Sequence, residues 1–527
     1  MPYILFFLIL YIIISICRLD LAVMFLIAAL PAYLIRFNIL GMPVTLLEAM
    51  ILIAFFIWFL GNCKMIFRNI KRKLKIENCL PAELEGKLKI NNRYPFDIEI
   101  VLLLIVSFAA AGVAGFSASA MGIWKAYFFE PALVFILVFN VFGKHTNETN
   151  IERKERIKIN GVAKILWPLA ISAFVVSVFA IYQKFTGAFI FNELWAAEET
   201  RRVTSFFGYP NAVGLYLGPI MLILLVWIFD QYSKIKSKNL RQDIKEIFNF
   251  QFSIFNQFFK IIFLFLTIII SLLSIYFAKS EGAMIGIAAG LLVFGLSAGK
   301  KIRWVVAALI LLALIGIINF QPLRDYAVKK ITLTDLSGEI RKQQWRETWQ
   351  MLAASPLRFA LGAGLANYQN AVAPYHQEGI FFNKDNDLEF YRHVVWNEEY
   401  KKSHWQPVEV YLYPHNIILN FWSELGLAGL LLFVWIIGKF FVIGIWNFFG
   451  NCLPRCAARG RGKLEIGNLE TRKDKYLALG LLGAMTVIVI HGVVDVPYFK
   501  NDLAVMFWLL IAMMGLINLE KNYGENL

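Results

Sequence analysis

Apolar residues in this chain come in long unbroken blocks, without the strict alternation of a half-buried strand or the narrow stripe of a soluble amphipathic helix. Crossing a bilayer takes about 17–25 residues. Blocks of about that size lie near 3–17, 19–35, 45–61, 98–115, 123–143, 162–184, 209–229, 258–278, 283–298, 303–320, 424–446, 476–494 and 502–518. They predict an all-α polytopic membrane protein with 12 or 13 transmembrane helices. The number turns on the two short runs flanking Arg18 and Asp20, which either span singly or form a hairpin. The first run has no basic flank before it and no small-residue cleavage site after it, so a retained anchor is expected.

Two connections between blocks stand out, 185–208 and 321–413, the second far longer than an ordinary loop. The expected organisation is one membrane domain in three stretches: an N-terminal bundle over 1–320, a large helical extracytoplasmic loop over 321–413, and C-terminal helices over 414–527. Within the loop, "SGEIRKQQWRETWQMLAASP" at 337–356 places Ile340, Trp345, Trp349, Met351 and Leu352 on the face of an amphipathic helix that lies on the membrane or caps a cavity. Pro356 should end it.

Composition supports the membrane class: the 527 residues are 59% hydrophobic, include 47 Phe, and only 17% are charged. The net charge of +15 could point to nucleic acid, yet the basic residues gather in short connections such as "KRKLK" at 71–75, "ERKERIK", "KIKSK" and "RCAARGRGK". Counted in alternation these fall on one side, which the positive-inside rule makes the cytoplasm. The charge therefore reports topology, and no nucleic-acid partner is expected. Cys63, Cys79, Cys452 and Cys456 fall on that same side and Cys17 at a span end, which implies no disulfide framework. The loop holding Cys452 and Cys456 supplies no histidine for zinc.

Chemistry must then be built from spans and the two outer connections. In "YPHNIILNFWSELGLAG" at 413–429, a helix starting near Pro414 puts Asn416, Asn420 and Glu424 on one polar stripe that faces something wet, with His415 beside its first member; simple helix capping is the plainer role. In "RRVTSFFGYPNAVG" at 201–214, Arg201 and Arg202 precede a Gly-x-Pro-Asn break ending at Asn211; guanidinium forks there suit a diphosphate, or merely snorkel to the interface. The turn "FAKSEGAMIG" at 277–286 carries Lys279, Ser280 and Glu281, and Arg341, Lys342 and Arg346 add positive charge on the same side, or pair with Glu339 and Glu347. Glu48 and Glu130, with Lys125 near the latter, are ionisable groups in or near hydrocarbon and so functional candidates or packing hydrogen bonds. His491 and Asp495, four apart, read as a helix-end capping pair. No outer His/Glu cluster at metal-ligand spacing, no phosphate loop and no Gly-x-Ser-x-Gly is present. A reaction outside the cytoplasm, away from nucleotides, must bring its own activated donor, and a lipid-borne diphosphate is one.

The segments "RVTSFFGYPNAVGLYLGP" (202–219), "EIRKQQWRETWQMLAASPLRFALGAGLANY" (339–368), "PHNIILNFWSELGLAGLLLF" (414–433) and "HGVVDVPYF" (491–499) follow one another in a familiar order. The chain resembles the O-antigen ligase and polymerase superfamily of bacterial integral-membrane glycosyltransferases, from about residue 40 onward. The resemblance implies transfer of a glycan from an undecaprenyl-diphosphate-linked donor to a hydroxyl of a glycan, lipid or protein acceptor. The reaction would take place on the outer face of the cytoplasmic membrane, among membrane lipids, with no cofactor or metal and with inversion at the anomeric centre. By the same resemblance His415 orients or deprotonates the acceptor hydroxyl and Arg202 holds the donor diphosphate. Arg201, Lys279 and Arg341 are then candidate diphosphate ligands, and Asn211, Asn416 and Glu424 supporting residues. The chain departs from the family at Ser280-Glu281-Gly282, where many relatives carry Ser-Arg-Gly, which leaves Lys279 or Arg341 to supply the second charge. A transporter or flippase of lipid-linked sugars is the alternative, though the paired repeats with broken helices expected of one are not evident.

Overall fold

The computed structural model describes residues 2–39, 42–76, 95–143, 151–238, 247–297, 300–385, 387, 389–449 and 470–524. Of the cysteines read above, Cys79, Cys452 and Cys456 lie outside them, as does the side chain of Cys63; Cys17 is exposed. The protein is an all-α polytopic membrane protein. Six helices among the described residues are long and apolar enough to cross a membrane, within 118–142, 161–186, 211–229, 258–277, 302–319 and 417–448, and shorter apolar helices of 10–17 residues accompany them.

Several helices run past their apolar stretch into the basic connections: Leu46–Ile76, Ile151–Thr186 and Asn211–Lys238 include "KRKLK", "ERKERIK" and "KIKSK". Lys and Arg are good helix formers, so a loss of hydropathy does not stop a helix that is already nucleated. The second apolar run is shorter than its sequence suggests. Its helix stops at Ala28, where Pro31 opens a 3₁₀ turn, and a small antiparallel ribbon, Arg36–Ile39 on Met42–Thr45, follows. Thr45 and Glu48 then form a capping box at the start of Leu46–Ile76, each side chain accepting the other's backbone N–H.

Glycines set the tightest packing, between Asn211–Lys238, Glu281–Ser297 and Glu470–His491. A Cβ at Gly290 would lie 2.9 Å from the Gly483 carbonyl oxygen, and one at Gly286 3.1 Å from that of Val487. Without a hydrophobic drive between helices in lipid, such backbone approach is what gains dispersion energy. The helix Lys300–Asn319 is the opposite case: its candidate span, from Ile302, buries no residue, with Leu309, Leu312 and Ile318 about 60% exposed. Exposed aliphatic residues of this kind suit hydrocarbon.

The 320–416 segment is folded. Helices Gln321–Ile331, Leu336–Ala353 and Pro356–Leu361 are followed by shorter ones and by a ribbon pairing Gly379–Phe381 with Trp405–Pro407. Pro356 does separate two helices, standing at the first position of the second. The face that Leu336–Ala353 buries differs from expectation. Met351 and Leu352 are buried in a small core with Ala363, Tyr368 and Val372, but so are Gln343, Gln344, Glu347 and Thr348, while Trp349 is half exposed. Glu347 accepts from the Gln343 amide (2.9 Å) and the Gln377 backbone N–H (2.9 Å) and lies 3.3 Å from His376 Nδ1. A loop folded on a helix must satisfy its own polar groups, and Glu347 does so for the Gln377 N–H.

Candidate active site

One end of the bundle gathers four segments: 187–210, the 278–280 turn, 320–416 and 492–500. Backbone bonds fix them together, Val203 N–H to the Phe277 carbonyl (3.3 Å) and Ile417 N–H to the Gly492 carbonyl (2.8 Å).

The turn before the Ile417–Phe449 helix determines how His415 is held. The helix begins at Ile417, three residues later than Pro414, and Asn416 is its cap: Oδ1 accepts from the Ile418 and Leu419 amides (3.0 Å each), and Nδ2 donates to the Val493 carbonyl (3.0 Å). The Trp345 indole donates to the Pro414 carbonyl at 2.9 Å. Strapped at both sides, His415 adopts φ 46°, a left-handed conformation that a non-glycine residue keeps only when its surroundings enforce it. The Tyr411 and Tyr413 rings stand edge-on to its imidazole, with centroids at 5.4 and 4.8 Å.

His415 Nδ1 faces Asp495 Oδ1 at 3.8 Å. The helix Glu470–His491 stops at His491, so Asp495 lies in the following turn and the expected four-residue capping pair does not form. Asp495 instead links His415 to a second group: its Oδ2 accepts from Asn211 Nδ2 (3.1 Å), and Asn211 Oδ1 accepts from the Arg202 guanidinium (3.3 Å). Burial pushes the Asp495 carboxyl up; the His415 ring, then His491 and the Val496 N–H, pull it down further, to about 2. A carboxylate behind an imidazole helps to orient the ring.

Arg202 is held by backbone. Nε donates to the Ala278 carbonyl (3.0 Å) and the terminal nitrogen to that of Lys279 (3.4 Å). Burial lowers its pKa, Glu281 raises it and Arg341 lowers it again, the balance being downward from a value so high that the charge remains. Arg202 opens onto a cavity of about 310 Å³ lined also by Asn211, Lys279, Glu281, Lys330, Asp335, Arg341 and His491. Its arginines and lysines outnumber its carboxylates by two. Arg341 bonds Ser337 Oγ (2.8 Å), and neither arginine has a carboxylate within 4 Å among the described residues. That surplus makes the cavity an anion site.

The other sequence candidates divide. Lys279 and Arg341 line the cavity, Lys279 also reaching the Thr200 carbonyl at 3.3 Å. Arg201 does not: its guanidinium is bonded to the Ala196 (3.1 Å) and Lys184 (3.0 Å) carbonyls, and it braces the 187–201 loop. The polar stripe does not face a wet space, because Asn420 and Glu424 are buried. Glu424 accepts the Ala366 N–H at 2.7 Å and anchors the loop segment to the bundle, at a break where Gly426 leaves helical geometry. Lys342 pairs with Glu339 (2.6 Å), while Arg346 reaches Gln343 and not Glu347. Lys125 pairs with Glu48 at 2.6 Å, and Glu130, buried, has no hydrogen-bond partner among the described residues.

Sequence reasoning missed Lys330, Asp335 and Ser337 as cavity residues and Asp495 as the partner of His415. For Asp495 a signal existed, since it lies in the quoted "HGVVDVPYF". For Lys330 there was none: it is one basic residue among several in a helix of ordinary composition.

The fold is that of an integral membrane protein with a cavity of net positive charge at one end of its bundle. Residues 266–434 match the family model described as O-Antigen ligase, and this supports membership of the O-antigen ligase/polymerase superfamily, whose enzymes are of the glycosyltransferase type. The match runs from the helix Ile247–Phe277 through the 320–416 segment to the His415 turn and the helix after it, about a third of the chain. No curated protein matches the chain.

Proposed function

We propose that this protein transfers a glycan from an undecaprenyl-diphosphate-linked donor to an acceptor hydroxyl at the outer face of the bacterial cytoplasmic membrane. The 320–416 segment and the cavity lie on that outer side in this reading, consistent with basic connections at the other. The observation that carries it is the hydrogen-bonded chain Arg202–Asn211–Asp495, with the His415 imidazole 3.8 Å from the same carboxylate, which sets a guanidinium and a held imidazole on one support.

In this scheme the acceptor oxygen attacks the anomeric carbon while the bond from that carbon to the diphosphate oxygen breaks. The leaving diphosphate takes the electron pair, and Arg202 and Arg341 meet the charge that grows on it. His415 takes the hydroxyl proton, and Asp495 stabilises the resulting imidazolium. Attack opposite the leaving group inverts the anomeric centre. Two guanidiniums fill the role a divalent cation often has at a diphosphate, so transfer should persist in a chelator.

The test uses purified protein in lipid with undecaprenyl-diphosphate-linked glycan, a candidate acceptor and a chelator. Product from wild type and none from a folded His415→Ala variant supports the reading. Equal product from both removes His415 from the chemistry, and movement of donor across a vesicle without product favours a flippase.

A further inference from the structure

Of the four cations that line the cavity, Lys330 has carboxylates as its partners. Lys330, near the end of the helix Gln321–Ile331, contacts Glu281 Oε2 at 2.6 Å and Asp335 Oδ2 at 2.8 Å. Glu281 Oε1 accepts from the Tyr326 hydroxyl at 2.9 Å. Both carboxylates of the cavity are therefore committed to Lys330, while Arg202 and Arg341 keep none. Glu281 starts the helix Glu281–Ser297 and its side chain is 40% exposed, so its ion pair is screened and readily exchanged. An ammonium group has three donors and rotates freely, which lets it change partners without moving its helix.

We propose that Glu281 holds the position a donor phosphate takes, and that Lys330 passes from Glu281 to the diphosphate of the lipid-linked donor when the donor binds. This rests on the donor reading above and extends it to a residue on the connecting segment. A dianion seated on Arg202 and Arg341 brings charge next to Lys330 and repels Glu281, so the exchange improves both contacts. Asp335 stays on Lys330 and keeps it aimed into the cavity. The ion pair is then a latch between the bundle and the connecting segment, opened by the ligand it excludes.

The opposite signs of two substitutions test this. Full-length wild type, Glu281→Gln, Lys330→Met and the double variant are placed in lipid nanodiscs and titrated with undecaprenyl diphosphate, with inorganic diphosphate as a parallel arm. Glutamine keeps the shape and the acceptor for Tyr326 but loses the competing charge, so Glu281→Gln binds the lipid several-fold tighter, on the order of threefold to tenfold. Lys330→Met binds about tenfold weaker, the cost of one desolvated charge contact. The double variant follows Lys330→Met. Equal weakening by both single variants would mean the bridge only holds the fold together, and no change in either would remove Lys330 from the site; each overturns the proposal. The same order seen with inorganic diphosphate but not with the lipid would overturn the lipid assignment. Wild type that binds no undecaprenyl diphosphate defeats the donor reading itself, a result distinct from wild-type binding with unresponsive variants.

Discussion

On the bundle wall of the cavity, Arg202 is fixed by two backbone carbonyls and the Asn211 amide, and Asn211 is fixed in turn by Asp495. On the wall formed by the connecting segment, Lys330 and Arg341 are held by side chains alone, two carboxylates for one and a serine hydroxyl for the other. The first wall cannot relax without moving a helix. The second can exchange its partners by rotating side chains. Charge that must be in place before a reaction belongs on the first kind of wall, since preorganised dipoles cost no reorganisation at the moment of need. Charge that has to admit and release a ligand belongs on the second.

Substitutions on the two walls should therefore fail differently, and the largest loss is expected on the bundle wall. Arg202→Ala on that wall, and His415→Ala, beside the Asp495 carboxylate that supports it, should each reduce transfer by about a hundredfold to ten-thousandfold, read as product formed at saturating donor. Near-wild-type turnover in both would break the contrast. Asp495→Asn should cost roughly tenfold to a hundredfold in kcat with little change in donor KM, because it orients His415 without touching the donor. Gly282→Ala is a packing probe of the same wall: its Cβ would fall 2.6 Å from His491 Cδ2 and 2.9 Å from a Val494 methyl. Thermal unfolding should show a loss of about 1–3 kcal/mol for that overpacking.

The connecting-segment wall should respond more mildly. Arg341→Ala is expected to raise donor KM by about threefold to tenfold with kcat nearly unchanged, and the difference from wild type should shrink as salt is raised. The smallest effect is in pH. Asp495 is depressed to about 2 in the folded chain, so the stability it lends is complete above its ordinary range near 3.8 and is lost as pH falls towards 2. Unfolding followed between pH 5 and pH 2 should show a shallower acid loss for Asp495→Asn than for wild type.

Much of the site could be read along the chain. Arg202, Asn211, His415 and Asp495 all lie in segments that stood out for charge or for resemblance, and two of the residues proposed for the diphosphate, Lys279 and Arg341, do line the cavity. Arg201 did not join them, although it is Arg202's neighbour. Adjacent residues on an extended strand or loop point opposite ways, and the Lys184 and Ala196 carbonyls satisfy the one that faces the loop. The stripe of Asn416, Asn420 and Glu424 has a regular spacing, but Asn416 lies before the helix and caps it, while Asn420 and Glu424 are buried, with the Ala366 N–H on Glu424.

The sequence by itself determined the membrane class, the approximate place of most apolar helices and the two polar turns that hold the leading candidates. Those follow from local quantities, namely the length of apolar runs and the residues that cannot remain in hydrocarbon. Only the tertiary structure decided that Asp495 faces His415, 80 positions away, and that Lys330 pairs with Glu281 in the lining of a positively charged cavity. Electrostatic partnership depends on distance in space and on what else can satisfy each charge, and neither is encoded in the spacing of residues along one helix.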